Sequence, residues 1–534
     1  MILIINMSAN AQWSTDPAVN NVVCSYSGDQ TNVQMVSDGN GGAIATWQDY
    51  RATSYDIYAQ HISSTGALLW NVDGVAICTA ILDQIEPRIV SDGFGGAIIT
   101  WKDNRNSNDG DVYAQKINSN GEVLWTIEGT PICTTTGYQG MQQLTTDNNG
   151  GAIITWSDGR NGSPNADIYA QSINSGGTVQ WAVNGVAICT AAYNQGSPQI
   201  VSDGNSGAII TWDDVRGSWA DIYAQRINSS GIVSWLTDGV QICVANYHQD
   251  HPRIVPDAGG GAVICWQDNR NNNSIDIYAQ KINSSGIVQW VANGVGICNA
   301  PYLQGFIQMV ANGSGGAYIT WEDRRSYSDI YAQQISTDGI LQWTVDGLPI
   351  CTSNPVQKDP QLCLNSLGNL TIVWTENYKD IFAQSVTPSG NLLWSTDGLP
   401  ICNNTASKSL PQIISSTSGH VIIAWQDTRD GTYDIYAQSI SNNGVLAINS
   451  SNFQSNAPLF LFPNPGNGIF TLKLNSEQVN QSSVRVFNLL GAEVLFKEII
   501  SENTMLDITQ QPKGVYLVSI QTPQGKLSKK LILK

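Results

Sequence analysis

The chain has 534 residues, of which 42% are hydrophobic and only 13% charged, with 50 Gly and 17 Trp. This composition is typical of turn-rich β-structure rather than of a helical or disordered chain. The net charge is −18, and an acidic, Lys-poor body repels phosphate backbones, so nucleic acid and anionic membranes are not expected partners. No stretch is long and apolar enough to predict a transmembrane segment.

The first residues, "MILIINMSANAQW", form a short apolar run that contains Ala9-Asn10-Ala11 near its end. Small residues at this spacing fit the cleavage site of a secretory signal. The basic region that normally precedes such a run is missing. Residues 1–11 are therefore predicted to be a truncated signal peptide, with a hydrophobic first strand as the alternative.

A unit with a mean length of 54 residues then recurs eight times. Within one unit, four short apolar segments alternate with turn residues, as in "PQIVSDG", "GAIITWDDVR", "DIYAQRIN" and "GIVSWLTDGVQIC", which predicts four strands. Repeated four-stranded antiparallel sheets predict an all-β fold, an eight-bladed β-propeller over residues 12–449, with a linear solenoid as the alternative. The pentad "DIYAQ" and its variants begin at Asp56, Asp111, Asp167, Asp221, Asp276, Asp329, Asp380 and Asp434.

The fourth-strand pattern, a Trp followed by a Cys, appears one unit too early and is missing from the last unit. Its first copy is Trp13 with Cys24, whereas the last unit ends "DIYAQSISNNGVLAIN" without either residue. We therefore expect residues 13–24 to complete the last blade and so close the ring, which removes the need for end caps.

Residues 450–459 are predicted to be a linker, and residues 460–534 a small β-sandwich. The tail reads "LFPNPGNGIFTLKL", "VRVFNLLGAEV" and "LDITQQPKGVYLVSIQTPQGKLSKKLILK". With its Pro-Asn-Pro entry, Gly491 and Gly514-Val515-Tyr516, it resembles the type A C-terminal sorting domain of the type IX secretion system. The resemblance implies recognition by that machinery, export from a Bacteroidota-type bacterium, and a secreted or outer-membrane surface-attached protein.

An Asp-x-Arg triplet follows the second predicted strand in seven of the eight units. One interpretation is a charged ring that binds a ligand. The alternative, which the repetition favours, is a structural pair in which each Arg bridges its own Asp and the Asp of the pentad. The seventh unit has Glu376 and Tyr378 instead. The seven pairs are Asp49/Arg51, Asp103/Arg105, Asp158/Arg160, Asp214/Arg216, Asp268/Arg270, Asp323/Arg325 and Asp427/Arg429.

The ten Cys do not predict disulfides or a metal site. Eight of them occupy one equivalent position per unit, and equivalent positions in neighbouring blades lie too far apart for a disulfide. Clustered CxxC or His spacing is absent. The thiols are therefore predicted to be free and buried.

Aromatic residues in the loops between the second and third strands are the candidates for ligand binding. Trp219 in "VRGSWADIYAQ" has no counterpart in other units, and Tyr55, Tyr327 and Tyr433 lie in equivalent loops. They are predicted either to form a platform on which a sugar or peptide stacks or to pack on neighbouring loops. Three loops break the repeat and are expected on one face with the blade crossovers: residues 103–111, 216–220 and 376–379.

No cofactor is predicted, although one loop has oxygens spaced somewhat like those of a calcium site. In "DNRNSNDGD" these are Asp103, Asp109 and Asp111, but the Glu-terminated frame of a calcium loop is missing. His248 and His251, with Asp250, are interpreted as part of a polar crossover.

A sialidase-like enzyme was the main alternative to a binding protein. The turns "SSTGALLW" and "NSNGEVLW" lack the Asp of a sialidase box, and Arg88 and Arg253 occupy a repeat position that is usually Gln. No pair of carboxylates stands out as a hydrolytic centre. The predicted function is therefore an exported propeller that binds a glycan, peptide or protein, and a polysaccharide-active hydrolase or lyase is the alternative.

Overall fold

A computed structural model gives the fold of the chain. It describes residues 13–106, 109–162, 165–272, 274–417 and 419–446, and in the tail 460–462, 464, 466–473, 482–488, 493–501, 503–522 and 525–534. The predicted signal peptide, the predicted linker and Gly491 lie outside the described residues. The chain divides into two compact units, residues 1–448 and 449–534.

The first unit consists of eight four-stranded antiparallel sheets, and the described residues contain no helix. The predicted eight-bladed β-propeller is confirmed. The innermost strands of successive blades contact one another in a closed ring. They are β2 (Gln30–Ser37), β6 (Gln84–Ser91), β10 (Gln139–Thr146), β14 (Gln195–Ser202), β18 (Gln249–Pro256), β22 (Gln304–Ala311), β26 (Gln357–Leu364) and β30 (Lys408–Ser415).

The second and third strands of each blade are sandwiched between neighbouring blades, which explains their nearly continuous apolar sequence. The second strands are β3 (Ala43–Asp49), β7 (Ala97–Asp103), β11 (Ala152–Asp158), β15 (Ala208–Asp214), β19 (Ala262–Asp268), β23 (Ala317–Asp323), β27 (Leu370–Glu376) and β31 (His420–Asp427). The third strands are β4 (Asp56–Ile62), β8 (Asp111–Ile117), β12 (Asp167–Ile173), β16 (Asp221–Ile227), β20 (Asp276–Ile282), β24 (Asp329–Ile335), β28 (Asp380–Val386) and β32 (Asp434–Ser441).

The outermost strands are short, and each ends at one of the repeated cysteines. They are β1 (Asn21–Cys24), β5 (Val75–Cys78), β9 (Thr130–Cys133), β13 (Val186–Cys189), β17 (Val240–Cys243), β21 (Val295–Cys298), β25 (Leu348–Cys351) and β29 (Leu399–Cys402). We number the blades from 1, which contains β2 to β5, to 8, which contains β30 to β32 and β1.

Strand β1 completes blade 8, as the sequence predicted. Asn21 and Val22 pair with Ala437 and Tyr436 of β32. Arg429 of blade 8 also donates to the carbonyl of Val19 at 2.9 Å. The N-terminal segment therefore joins both ends of the repeat array in one sheet.

Each innermost strand contains a β-bulge near its start. In β2 the pairing with β3 shifts between Thr31 and Gln34, which leaves two residues opposite one. The same shift recurs at the same place in all eight innermost strands. Bulges of this kind bend the strand and re-aim its side chains.

The second unit contains a three-stranded sheet and a four-stranded sheet around one apolar core. Phe470, Val484, Leu506, Val518 and Leu531 are fully buried in it. The strands are β33 (Phe460–Phe462), β34 (Ile469–Lys473), β35 (Ser482–Phe487), β36 (Glu493–Ile499), β37 (Asn503–Asp507), β38 (Gly514–Thr522) and β39 (Gly525–Leu533).

Candidate functional site

The repeated Asp-x-Arg pairs are enclosed inside the wheel. In blade 1 the guanidinium of Arg51 donates to both carboxylate oxygens of Asp49, at 2.9 and 2.6 Å, and Trp47 Nε1 donates to the same carboxylate at 2.8 Å. The ring of Tyr58 lies 3.6 Å from the Arg51 guanidinium carbon. With Asp49 fully buried, the carboxylate has no free face for a ligand.

The predicted bridge from each Arg to the Asp of the pentad is wrong. The remaining donor bonds of Arg51 go to the carbonyl of Asp73 at 2.8 Å and to the sulfur of Cys24, which belongs to the preceding blade. The planar guanidinium thus contacts one carboxylate, one carbonyl and one thiol, and through the thiol it ties two blades together. The same set of contacts recurs in blades 2 to 6.

All ten cysteines are free and buried, as predicted. Burial raises the pKa of Cys24, Cys133 and Cys189 to about 12. These thiols therefore stay protonated at neutral pH.

The Asp that begins the pentad has a different environment in different blades. Asp111 accepts a hydrogen bond from Asn106 at 2.7 Å, and Asp276 accepts from Asn271 and Ser274. In blade 8 no side chain of the described residues donates to Asp434 Oδ2. Burial, together with Asp430 and Asp427, raises the pKa of Asp434 to about 7.

The four aromatic residues proposed from the sequence lie in blades 1, 4, 6 and 8. Trp219 packs on the crossover that leaves its own blade, with ring centroids 5.3 Å from Tyr247 and 5.0 Å from His248. Tyr55 lies 4.9 Å from Tyr50 of the same loop. Tyr327 and Tyr433 occupy the equivalent loops of blades 6 and 8, and Tyr327 is exposed.

Two of the three carboxylates proposed for calcium, Asp103 and Asp111, accept hydrogen bonds from protein groups. Asp103 is fully buried and accepts from Arg105 and Trp101, and Asp111 accepts from Asn106. Across the described ranges, no group of three or more His, Cys, Asp or Glu side chains is arranged to hold a metal ion.

The axis of the propeller contains a polar cavity of about 460 Å³. One residue from each innermost strand lines it, always the residue that follows the bulge and pairs with the middle of the second strand. We call these eight residues the waist ring. They are Gln34, Arg88, Gln143, Gln199, Arg253, Gln308, Gln361 and Gln412.

Two residues before the waist ring, each innermost strand has a residue with a left-handed backbone, φ 49° to 57°. We call these eight residues the mouth ring, and Asn32 and Leu410 of this ring also line the cavity. Non-Gly residues at positive φ cost about 1–3 kcal/mol each and concentrate at functional sites. The mouth ring consists of Asn32, Glu86, Met141, Ser197, His251, Phe306, Asp359 and Leu410.

The strained backbone of the mouth ring is held from the neighbouring blade. The N–H of Glu86 donates to Gln48 Oε1 at 3.1 Å, and the N–H of Asp359 donates to Glu322 Oε1 at 3.0 Å. Both acceptors lie on the second strand of the preceding blade. The ring position is thus fixed by the architecture, while the side chain at that position is free to vary.

All eight mouth-ring residues are different, whereas the waist ring uses only Gln and Arg. The signal was present in the sequence, since the aligned starts read "QTNVQ", "QIEPR", "QGMQQ", "QGSPQ", "QDHPR", "QGFIQ", "QKDPQ" and "KSLPQ". A comparison of the loops alone does not reveal this variation, because it lies inside a strand. The candidate functional site is therefore the cavity and its mouth rather than the outer loops.

The mouth lies toward the face that carries the crossovers and the loops between the second and third strands. Innermost strands begin at the crossovers, and the N–H of Gln84 donates to the carbonyl of Tyr55 in such a loop at 2.7 Å. The mouth ring therefore lies nearer to this face than the waist ring does.

The tail matches the family model of the secretion system C-terminal sorting domain over residues 460–534. Residues 460–534 are a type IX C-terminal sorting domain. This domain indicates engagement with the secretion machinery and export, to the cell surface or the medium. The part of the chain that the structure describes holds no apolar helix of membrane-spanning length.

A search of curated proteins found no match to the chain. Among solved structures, a PL25 ulvan lyase bound to -[GlcA(1-4)Rha3S]- is 11% identical, with a TM-score of 0.44 over 82% of this chain and 98% of the lyase. The polysaccharide lyase Uly1 is 10% identical, with a TM-score of 0.43 over 77% and 99%. The α-L-arabinofuranosidase ARB93A from Fusarium graminearum is 11% identical, with a TM-score of 0.34 over 80% and 99%. At such low similarity, none of these activities transfers to this chain.

Proposed function

We propose that this protein is an exported propeller that binds a glycan or peptide at the mouth of its central cavity. The observation that carries the proposal is the mouth ring, where one backbone position of the eight innermost strands carries eight different residues in an otherwise repetitive wheel. A site of defined specificity needs such asymmetry, because repeated residues present the same chemistry in every direction.

The size and chemistry of the cavity support a small polar group as the part of the ligand that enters it. About 460 Å³ lies within the range of small-molecule sites. The amides of the waist ring offer both donors and acceptors to hydroxyl or peptide groups. At the mouth, Met141, Phe306 and Leu410 are exposed and supply apolar contact area.

A binding screen with the full chain tests the proposal. Glycan and peptide arrays identify a ligand, and calorimetry then compares the wild type with Phe306→Asn, which installs the residue that blade 1 has at this position. We expect the variant to lose at least about tenfold in affinity. The matched control is Phe94→Asn, because Phe94 is an exposed Phe on a hairpin of the opposite face.

Equal loss of binding in the two variants, or binding that neither variant changes, contradicts a site at the mouth. Variants of Trp219 form a second arm of the same experiment. If Trp219→Leu abolishes binding while Phe306→Asn does not, the ligand site lies on the loops instead.

A polysaccharide-active hydrolase or lyase is the second candidate, and one cluster favours it. At the mouth, His251 Nδ1 lies 2.9 Å from Asp250 Oδ1, and the hydrogen bond to Asp250 raises the pKa of His251. Burial raises the pKa of the adjacent Asp213. Groups with shifted pKa values next to a cavity are candidates for acid–base chemistry.

Incubation of the full chain with neutral and acidic polysaccharides tests this candidate. New reducing ends, with or without the ultraviolet absorbance of an unsaturated sugar, would show hydrolysis or elimination. Loss of that product in His251→Ser, which copies Ser197 of blade 4, would assign the chemistry to this cluster. No product with any polysaccharide leaves binding as the function.

A further inference from the structure

The waist ring holds two guanidinium groups without a carboxylate partner. Among the residues that the structure describes, Arg88 and Arg253 each donate only to the carbonyl of the preceding proline, Pro87 at 3.0 Å and Pro252 at 3.2 Å. Neither forms an ion pair with any described residue, whereas the seven Arg of the Asp-x-Arg pairs all do.

Both guanidiniums are enclosed by the propeller and keep access only to the axial cavity that they line. Burial lowers the pKa of both groups, and the charge of Arg253 adds to this effect at Arg88. Glu86 on the same strand opposes the shift at Arg88 through space but forms no ion pair with it. Arg remains charged at neutral pH, so the cavity carries two positive charges inside an acidic protein.

The fold does not need these two charges. Six of the eight blades have Gln at the same position, with the same bulge before it and the same pairing to the second strand. A buried charge without a partner costs stability. The two Arg therefore call for an explanation other than packing.

We propose that the waist ring is an oxyanion site, in which Arg88 and Arg253 bind a carboxylate, sulfate or phosphate group that enters through the mouth. A guanidinium offers paired N–H donors that match two oxygens of such a group. The amides of Gln143 and Gln199, which lie between the two Arg on the shorter arc of the ring, can donate to the remaining oxygens. The proposal rests on the binding function above and names the chemistry of the group that is bound.

The alternative is that the two Arg only offset the negative charge of the surrounding protein. The two explanations differ in what happens when both Arg are replaced by the residue of the other six blades. If the charges are structural, Arg88→Gln/Arg253→Gln destabilises the protein. If they serve a ligand, the same variant is as stable as the wild type or more stable without anions, because two unpaired buried charges are removed.

The experiment uses the full chain with sodium sulfate and sodium glucuronate as probes, in chloride at matched ionic strength, and with glucose as the neutral control. Calorimetry and thermal unfolding should show saturable binding of sulfate or glucuronate by the wild type and none of glucose. The double variant should lose about tenfold or more in affinity. The matched control is Arg324→Gln, since Arg324 is an exposed Arg outside the cavity, and it should bind as the wild type does.

A gain-of-function variant strengthens the test. Gln199→Arg adds a third guanidinium to the same ring and should tighten sulfate binding. The oxyanion site is refuted if the wild type binds neither anion, if the double variant binds as tightly as the wild type, or if Arg324→Gln weakens binding equally.

The outcomes also separate this inference from the proposed function. If an array ligand binds through Phe306 but is insensitive to the double variant, the binding function stands and the oxyanion site is wrong. If sulfate binding needs both Arg but no glycan or peptide binds, the oxyanion site stands and the proposed function is wrong.

Discussion

The first Asp of the pentad shows how strongly one neighbouring donor changes a buried carboxyl group. Asp276 has two side-chain donors, Asn271 and Ser274, which partly oppose its burial. Asp434 has no such donor among the described residues, and Asp430 and Asp427 add negative charge around it. The repeat thus places the same residue in a favourable environment in one blade and an unfavourable one in another.

Asp434→Asn should make the protein more stable above neutral pH. The folded-state pKa of Asp434 is raised to about 7 from 3.8. Its contribution to stability is therefore fully present below about pH 4 and is lost as the pH rises through about 7. We expect the variant to be more stable than the wild type at pH 8, by about 1 kcal/mol or more, and this advantage to shrink steadily toward pH 4, where the two should differ least.

Thermal unfolding at both pH values checks this prediction, with Asp276→Asn as the control. Because Asp276 has its donors, the control should change the pH dependence less. A wild type and Asp434→Asn variant with parallel stability curves from pH 5 to 8 would contradict the assigned environment.

At the scale of strands and blades, the sequence predicted most of the fold because each strand has its own periodic pattern and each turn its own residues. "SDGNGGA" specifies a hairpin, where Asp38 Oδ1 accepts from the N–H of Asn40 and Gly42, and Gly39 and Gly41 have positive φ. The mouth ring was not predicted, because Phe306 and Met141 give no local sign of a left-handed backbone. At Glu86 and Asp359 that conformation is held by hydrogen bonds from the neighbouring blade, which a local sequence pattern does not reveal.

The seventh blade departs from the others at the end of its second strand. Glu376 is one methylene longer than Asp and accepts from Ser353 at 3.1 Å, so the indole N–H of Trp374 has no acceptor in the described part of the chain. The loop has only three residues, and Asn377 and Tyr378 have positive φ. Blade 7 therefore lacks the contact through which the other blades tie to their neighbours.

Restoring the common pattern in blade 7 should stabilise the propeller. The variant combines three changes: Glu376→Asp, replacement of the loop 377–379 by the loop 324–328 of blade 6, and Lys408→Gln. Lys408 is replaced because its ammonium binds the carbonyl of Lys379 in the loop that is removed. We expect a gain of about 1–3 kcal/mol in unfolding free energy, measured by denaturant titration. Glu376→Asp alone should instead lower the unfolding free energy, since it buries a carboxylate without its Arg. A change of the same sign in the unfolding free energies of both variants would contradict this prediction.

At the scale of the whole propeller, stability depends on contacts that pass from blade to blade around the ring. Each outer Trp donates its indole N–H to a carbonyl in the turn of the next blade, as Trp70 does to Ser119 at 3.0 Å. Trp13 makes the same contact with Ser64 at 2.9 Å, although it precedes the first blade in sequence. The contacts between neighbouring blades therefore continue around the whole ring. The chain itself connects blade 1 to blade 8 through β1.

Removal of residues 13–24 should open the ring at blade 8. The deletion exposes the edge of β32 and the apolar surface that Trp13, Val23 and Cys24 cover, and an unpaired strand edge promotes pairing with other chains. We expect a lower unfolding temperature and concentration-dependent self-association in sedimentation experiments. Trp70→Ala is the control, because Trp70 has the same role within a continuous blade: it should lower stability by about 3–5 kcal/mol without self-association. A deletion variant that unfolds at the wild-type temperature and sediments unchanged would show that β1 does not close the ring, since loss of the strand that pairs with β32 must expose that edge.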